Sequence, residues 1–274
     1  MVKMEKSVPR KLYTEEYFLA ACEGFEKFSH GKFSARFHYA LSLADIKKGM
    51  YVLDVGTGRG EIAISAAKAG AYVEAIDYSQ AAIKIARKSL RLNRKITKRV
   101  RITKMDAKKI SFPDKSFDRV FMLDVVEHLS SKELEQVFLE IKRVTKPGGK
   151  IIIHTPNAWL IKPLYFFADI FFPWWKKHGT HINEQNFFGL HQKLRLFGGK
   201  RKVFFRPREN YFFKAVNPFK GVPSWVVSLA YLIDKILKNK VVSFLIYHTP
   251  LVLFFGIVLW AVIEIPVGGY KIRE

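Results

Sequence analysis

One cysteine, Cys22, among 274 residues is too few for an internal disulfide or for a metal cluster built on thiolates. Acidic residues are also scarce, 24 against 47 lysines and arginines, which leaves a formal charge of +23 at pH 7. Such an excess predicts attraction to phosphate-bearing partners, whether nucleic acid, an anionic membrane surface or other polyanions, and does not choose among them. No internal repeat and no low-complexity tract occurs, so a solenoid is excluded. The opening residues, MVKMEKSVPRKLYTEEY, hold no long apolar stretch of the signal-peptide kind, and the expectation is a cytoplasmic chain, at most peripheral to a membrane. Apolar residues are plentiful at 49%, enough for a sizeable core, and aromatics reach 15%.

Three textures divide the chain. Residues 1–45 read as a helical segment, with Tyr13, Tyr17, Phe18, Cys22, Phe25 and Phe28 at roughly helical intervals and a second helix over 34–44. From Met50 to residue 157, short Val/Ile/Leu-rich runs (51–55, 72–77, 100–106, 117–126, 150–156) alternate with amphipathic ones (61–70, 79–93, 132–144). Strand and helix taking turns in this way predict an α/β core over 46–157, a parallel sheet with helices on both faces. Gly70 and the KPGG of 146–149 punctuate helix ends. Residues 158–274 are different: 158–175 carries eight aromatics in eighteen residues, 181–199 reads as a helix and 202–205 as a short strand, and two apolar segments follow at 222–234 and 241–263.

The stretch YVLDVGTGRGEIAI (51–64) places Gly56, Gly58 and Gly60 between a buried strand and a helix, where backbone without Cβ can approach a ligand beside a helix N-terminus. An acid, Asp77, ends the next strand, suited to accept hydrogen bonds from two ribose hydroxyls. A dinucleotide such as NAD and S-adenosylmethionine both fit that outline. Dinucleotide loops read G-x-G-x-x-G, whereas here glycines recur every second residue and Asp54 stands just upstream, where a carboxylate can meet a cationic amino group.

In VLDVGTGRGE (52–61), AIDYS (75–79), MDA (105–107), FDRVFMLDVVEHL (117–129) and RVTKPGGKIIIHTPN (143–157), the chain resembles class I S-adenosylmethionine-dependent methyltransferases, most nearly the small-molecule, lipid and quinone branch. The resemblance implies a Rossmann-like, seven-stranded, mostly parallel sheet whose last strand is antiparallel and central, with 256–265 as its candidate, and an apolar, aromatic-rich insertion or cap towards the C-terminus. It implies S-adenosyl-L-methionine held by Asp54, Gly56, Thr57, Gly58 and Gly60 at the methionine part, by Asp77 with Tyr78 at the ribose, and by Asp106 and Ala107 at the adenine. Leu123 and Asp124 would line the transfer position. Thr57 replaces a cysteine common in relatives.

Direct displacement at a sulfonium methyl needs positioning and exclusion of water, not a covalent intermediate. Cys22 lies far from the strand ends, which argues against a cysteine nucleophile, and LDVVEHL lacks the Asn/Asp-Pro-Pro-aromatic motif of exocyclic base methylation. His128 is the first candidate base, with helix-start packing as its alternative; Glu127 and His181 are further candidates, and His154, in an apolar strand, reads as core. By resemblance to quinone O-methyltransferases Glu127 would also serve a divalent ion, although no metal site is otherwise expected.

The basic run 87–104, nine Lys/Arg in eighteen residues, is expected on the face away from the ligand, and a second cluster, Lys193 to Arg208, nearer the acceptor. The aromatics of 158–175 suit core, a lid over an apolar acceptor, or a bilayer interface. The uncharged run 241–263 has the length of a transmembrane helix, but the strand at 256–265 and Pro250 argue instead for an apolar helical insertion over about 223–252. The expected function is methylation of a hydrophobic or membrane-associated small molecule such as a quinone precursor, a lipid or a lipid-linked glycan, with possible peripheral membrane contact through 158–175 and 223–252. Nucleic-acid methylation and non-catalytic binding of S-adenosylmethionine are the alternatives.

Overall fold

The structure, a computed structural model, describes residues 8–21, 28, 33–171, 181–206 and 224–267. Cys22, Phe25, 172–180, 207–208 and the remaining expectations that fall between these spans lie outside the described residues.

Seven strands form one sheet: β1 (Tyr51–Val55), β2 (Tyr72–Asp77), β3 (Val100–Lys104), β4 (Phe117–Leu123), β5 (Thr145–Pro156), β6 (Lys200–Phe205) and β7 (Val258–Glu264), in the order β3-β2-β1-β4-β5-β7-β6. The first five run parallel, and β7 lies antiparallel between β5 and β6, as the apolar run around 256–265 predicts. Strand order reverses between β1 and β4, and a sheet of this kind opens a crevice at the carboxyl ends of those strands.

Period-2 alternation sorts the strand residues into two cores. Val52, Val73, Phe121 and Ile152 face one layer with α1 (Ala35–Ala44) and α2 (Glu61–Lys68). Leu53, Ile76, Val120, Met122, Ile151 and Ile153 face the other. There they meet Leu134, Val137, Phe138 and Ile141 of α4 (Ser131–Val144). Helix starts follow local chemistry: Ser79 Oγ accepts the Ala82 N–H to open α3 (Gln80–Arg91), and Ser130 and Glu133 form a reciprocal capping box on α4.

Beyond the core, α5 (Ala158–Phe171), α6 (Phe187–Lys193), α7 (Ser224–Lys238), α8 (Lys240–His248) and α9 (Val252–Phe255) follow. The uncharged run 241–263 is thus divided among α8, α9 and β7, and no helix among the described residues is long and apolar enough to cross a membrane. Two expectations, on 181–199 and on KPGG, are corrected. The helix expected over 181–199 begins only at Phe187, because the Ile182 and Asn183 N–H groups donate to the Glu127 carbonyl at 2.9 and 3.1 Å and hold 181–186 extended. In the N-terminal segment a 3₁₀ turn at Arg10–Leu12 precedes a helical stretch over 15–21 that is π-helical at Tyr17–Ala21, and residue 28 is helical, while 22–27 lie outside the described residues. KPGG belongs to β5, which starts at Thr145.

Candidate active site

The loop after β1 is shaped by backbone hydrogen bonds: the Gly56 and Thr57 N–H groups both donate to the Ile76 carbonyl, at 2.9 and 3.0 Å, and Gly60 N–H to the Thr57 carbonyl at 2.8 Å. Gly56 has φ +71°, and a Cβ there would stand 2.4 Å from Val125 Cγ2, so only glycine fits between the two strand ends. Gly60, also at positive φ, starts α2 and lets Ala86 of α3 approach.

Asp77 is buried, and its carboxylate also clamps the loop: Oδ2 accepts from Gly58 N–H at 3.0 Å and Oδ1 from Ser79 N–H at 2.8 Å. Two oxygens with about four lone-pair sites leave room for further donors. Burial pushes its carboxyl up to about 6 against those N–H bonds. Asp54 accepts from Thr57 Oγ1 at 2.7 Å; burial pushes it up to about 7, with the Asp77 charge adding to the rise.

These groups open onto a cavity of 670 Å³, within the range of roughly 300–1,000 Å³ usual for small-molecule sites. Its lining includes Asp54, Gly56, Thr57, Gly58, Asp77 and Tyr78. Asp106, Ala107, Leu123, Asp124, Glu127, His128 and His181 line it as well. Gly60 alone among the expected residues stays out of the lining, its work being helix packing. Asp106 lines the cavity, and its Oδ1 also caps the following turn by accepting Lys108 N–H at 3.0 Å.

Just after β4, Asp124 adopts a left-handed φ of 56° and donates its N–H to the His154 carbonyl at 2.9 Å. Its carboxylate pairs with Arg36 of α1 at 2.6 Å and with His154 Nδ1. Burial opposes ionisation, yet Arg36 and His154 outweigh it and hold Asp124 well below the usual carboxylate range. Glu127, 1% exposed, behaves oppositely: burial and then the Asp124 charge push it up to about 8, while Thr155 Oγ1 donates to its Oε2 at 3.0 Å. The two carboxyls, three residues apart, are therefore pushed in opposite directions, Asp124 towards the anion and Glu127 towards the neutral acid.

His128 and His181 meet edge-to-face with ring centres 4.9 Å apart, and Tyr13 packs on His128 at 5.7 Å. Donor atoms of Glu127, His128 and His181 lie within 4.8 Å of one another. His154 is buried against Trp260, as its apolar strand predicts, and in addition lines the cavity and holds Asp124. Arg36 escaped the sequence reading because nothing local in ARFHYALSLA distinguishes it. Neither basic cluster supplies the cavity with a described side chain, and β6, which carries much of the second, is the far edge strand. An aromatic cover is also present among the described residues. Tyr13, Tyr17 and Phe18 provide it, anchored by Arg59, whose Nη1 donates to the Phe18 carbonyl at 3.0 Å while Nε and Nη2 engage Glu61.

A family described as a methyltransferase domain matches residues 53–153. The chain is 29% identical over 186 residues to sterol 24-C-methyltransferase ERG6B of Gibberella zeae, covering 62% of this chain and 47% of that one. It is 31% identical over 144 residues to the ubiquinone/menaquinone biosynthesis C-methyltransferase UbiE of Cupriavidus metallidurans, covering 50% and 56%. The chain therefore spans less than two thirds of these curated relatives. Among solved structures it matches the SpnF cyclase with TM-score 0.62 and 18% identity over 96% of this chain and 98% of that one. It also matches a Haemonchus contortus phosphoethanolamine N-methyltransferase complex containing S-adenosylhomocysteine, with TM-score 0.62 and 18% identity over 97% and 61%. At such identity these two matches speak for the fold. A Cβ-free cradle at Gly56, two buried carboxylates beside a helix start and a cavity of adequate size fit S-adenosylmethionine, and the family match over the same residues identifies 53–153 as a methyltransferase domain on a class I, Rossmann-like sheet.

Proposed function

We propose that the chain transfers a methyl group from S-adenosylmethionine to an apolar small-molecule acceptor, of quinone-precursor or lipid type, resident in or at a bilayer. The observation that carries this reading is that one cavity is lined by the glycine and carboxylate cradle, by the aromatic side chains of Tyr13, Tyr17, Phe18 and Phe37, of which Tyr13 packs on Tyr78 of the cradle, and by His128, His181 and Glu127. The named relatives, whose printed acceptors include sterols and quinones, point the same way.

When bound, S-adenosylmethionine supplies an electrophilic methyl group. Asp54 and Asp77 would bind it through its cationic and hydroxyl-bearing parts, and Asp106 with Ala107 would flank its base. Asp124, kept anionic by Arg36 and His154, places fixed negative charge at the end of β4, where it needs no reorganisation during the reaction. Neutral Glu127 can donate a hydrogen bond to an acceptor oxygen. A ring nitrogen of His128 or His181 can take the proton that an acidic acceptor gives up. The aromatic roof excludes water, which strengthens each of these interactions.

Calorimetric titration with S-adenosylmethionine and S-adenosylhomocysteine, followed by transfer of labelled methyl to quinone, sterol and phospholipid extracts, tests the reading. Micromolar binding with label entering the organic phase supports it. Binding with label entering only RNA would replace the acceptor class, and binding without turnover on any acceptor would leave a non-catalytic binding protein. Absence of binding by the folded chain would refute the proposal altogether.

A further inference from the structure

An exposed leucine on its own means little, but helices whose apolar stripe faces water over successive turns do not arise by default. On α7, Trp225, Leu229, Leu232 and Ile236 recur every three or four residues along one face, all exposed, Trp225 to 59%. The acid of the same helix, Asp234, is buried. On α8 the pattern repeats: Val241, Phe244 and Leu245 are exposed, Val241 to 67% and Phe244 to 60%, while Ser243 is buried. Leu251, Phe254 and Phe255 extend the exposed apolar surface through α9. Elements α7, α8 and α9 pack in succession, so these side chains belong to one region of the molecule.

Charge selects the occupant. Asp234 is the only acid between residues 224 and 255, whereas Lys235, Lys238 and Lys240 stand exposed beside the stripe. Lysines flanking an exposed aromatic and aliphatic face are the composition of a helix that lies in a membrane interface, with stems on the acyl boundary and ammonium groups among anionic headgroups. A second copy of a chain with net charge +23 would bring the same lysines against themselves, which disfavours self-association through this face.

The region also adjoins the site. Asn157, at the end of β5, donates its Nδ2 to the carbonyls of Leu253 and Gly256 at 2.9 and 2.7 Å, fastening α9 beside the strand end. Pro156 and Val258, neighbours of those anchors in β5 and β7, line the cavity. Trp159 stacks on Phe254 at 5.2 Å and meets Phe188 at 5.7 Å, continuing the apolar surface along that rim.

We infer that α7 to α9 form a docking face for an anionic bilayer surface, which brings the cavity rim against the membrane. The inference deepens the acceptor reading and rests on it for its purpose, while the docking itself is read independently of methyl transfer.

The test is sedimentation of the full chain with large vesicles of phosphatidylcholine, with and without phosphatidylglycerol. The native chain is expected to pellet with anionic vesicles and to be released by salt. Replacing Leu229, Leu232 and Ile236 together by glutamine should weaken partitioning by about ten-fold for each side chain that enters the interface. Lys235→Gln with Lys238→Gln should weaken it by about five-fold per charge. Calorimetric cofactor affinity in the same variants should stay native, showing that the fold is intact. Stripe-dependent vesicle binding upholds the inference whether or not a lipid acceptor is methylated. It is overturned if the native chain stays in the supernatant, if the triple variant pellets like the native chain, or if sedimentation velocity finds a dimer that the triple variant dissolves.

Discussion

Gly56→Ala tests the cradle in a way that separates strain from crowding. A φ of +71° costs a residue bearing a Cβ about 1–2 kcal/mol, because that atom crowds the backbone in the left-handed region. The new methyl would also stand 2.4 Å from Val125 Cγ2, a separation that must be relieved by displacing either the loop or the strand end, at about 1–3 kcal/mol. The sum is about 2–5 kcal/mol of lost stability. Val125→Ala removes the clashing methyl and leaves only the backbone strain. In a double-mutant cycle the two substitutions should therefore couple favourably by about 1–3 kcal/mol. Urea denaturation with the slope checked for constancy measures each corner, and calorimetry with S-adenosylmethionine reports whether the displaced loop still binds. The reasoning is refuted if Gly56→Ala costs less than about 1 kcal/mol or if the double variant is simply additive.

Cofactor affinity should fall as pH drops: with Asp54 near 7 and Asp77 near 6, the carboxylates that meet a cationic and hydroxyl-bearing ligand are increasingly protonated in the free chain. Between pH 8 and pH 6 the dissociation constant should rise by about ten-fold or more, accompanied by proton release on binding near neutrality, and a flat profile by calorimetry in buffers of different ionisation heat would contradict it. Glu127→Gln should change the pH dependence of stability. Glu127 is raised from 4.5 in the unfolded chain to about 8, so its neutral form's contribution is complete below 4.5 and is lost progressively as pH rises through 8. The glutamine variant, which mimics the neutral acid, should flatten that decline and overtake the native chain at the alkaline end of a denaturation series; parallel curves would show that Glu127 ionises normally.

Much of the fold was legible because its signals are local. Strands buried on both faces must be largely apolar, which marks 51–55, 72–77 and the run 117–126, whose strand ends at Leu123, and a loop forced to positive φ beside a strand end must use glycine, which marks Gly56 and Gly58. The cradle residues were legible for the same reason, since Asp54 and Asp77 sit in the same short elements as the glycines. The acceptor end was less so. Asp124, Arg36 and His154 come from the end of β4, from α1 and from β5, and each alone looks ordinary: an acid after a strand, a cation on a helix, a histidine in an apolar run.

The sequence by itself thus determined the alternation of elements, the conformation of the glycine loop and the placing of two carboxylates at adjacent strand ends. Tertiary structure alone decided which distant side chains share the buried space. It set Asp124 and Glu127 apart in protonation by giving one of them Arg36 and His154 and the other desolvation and a like charge. It also decided which way α7 and α8 turn. A helical stripe is visible in any amphipathic sequence, but whether that stripe meets the core or the solvent depends on what the rest of the chain packs against it, and here the core side was taken by Asp234, Ser243 and Ile246.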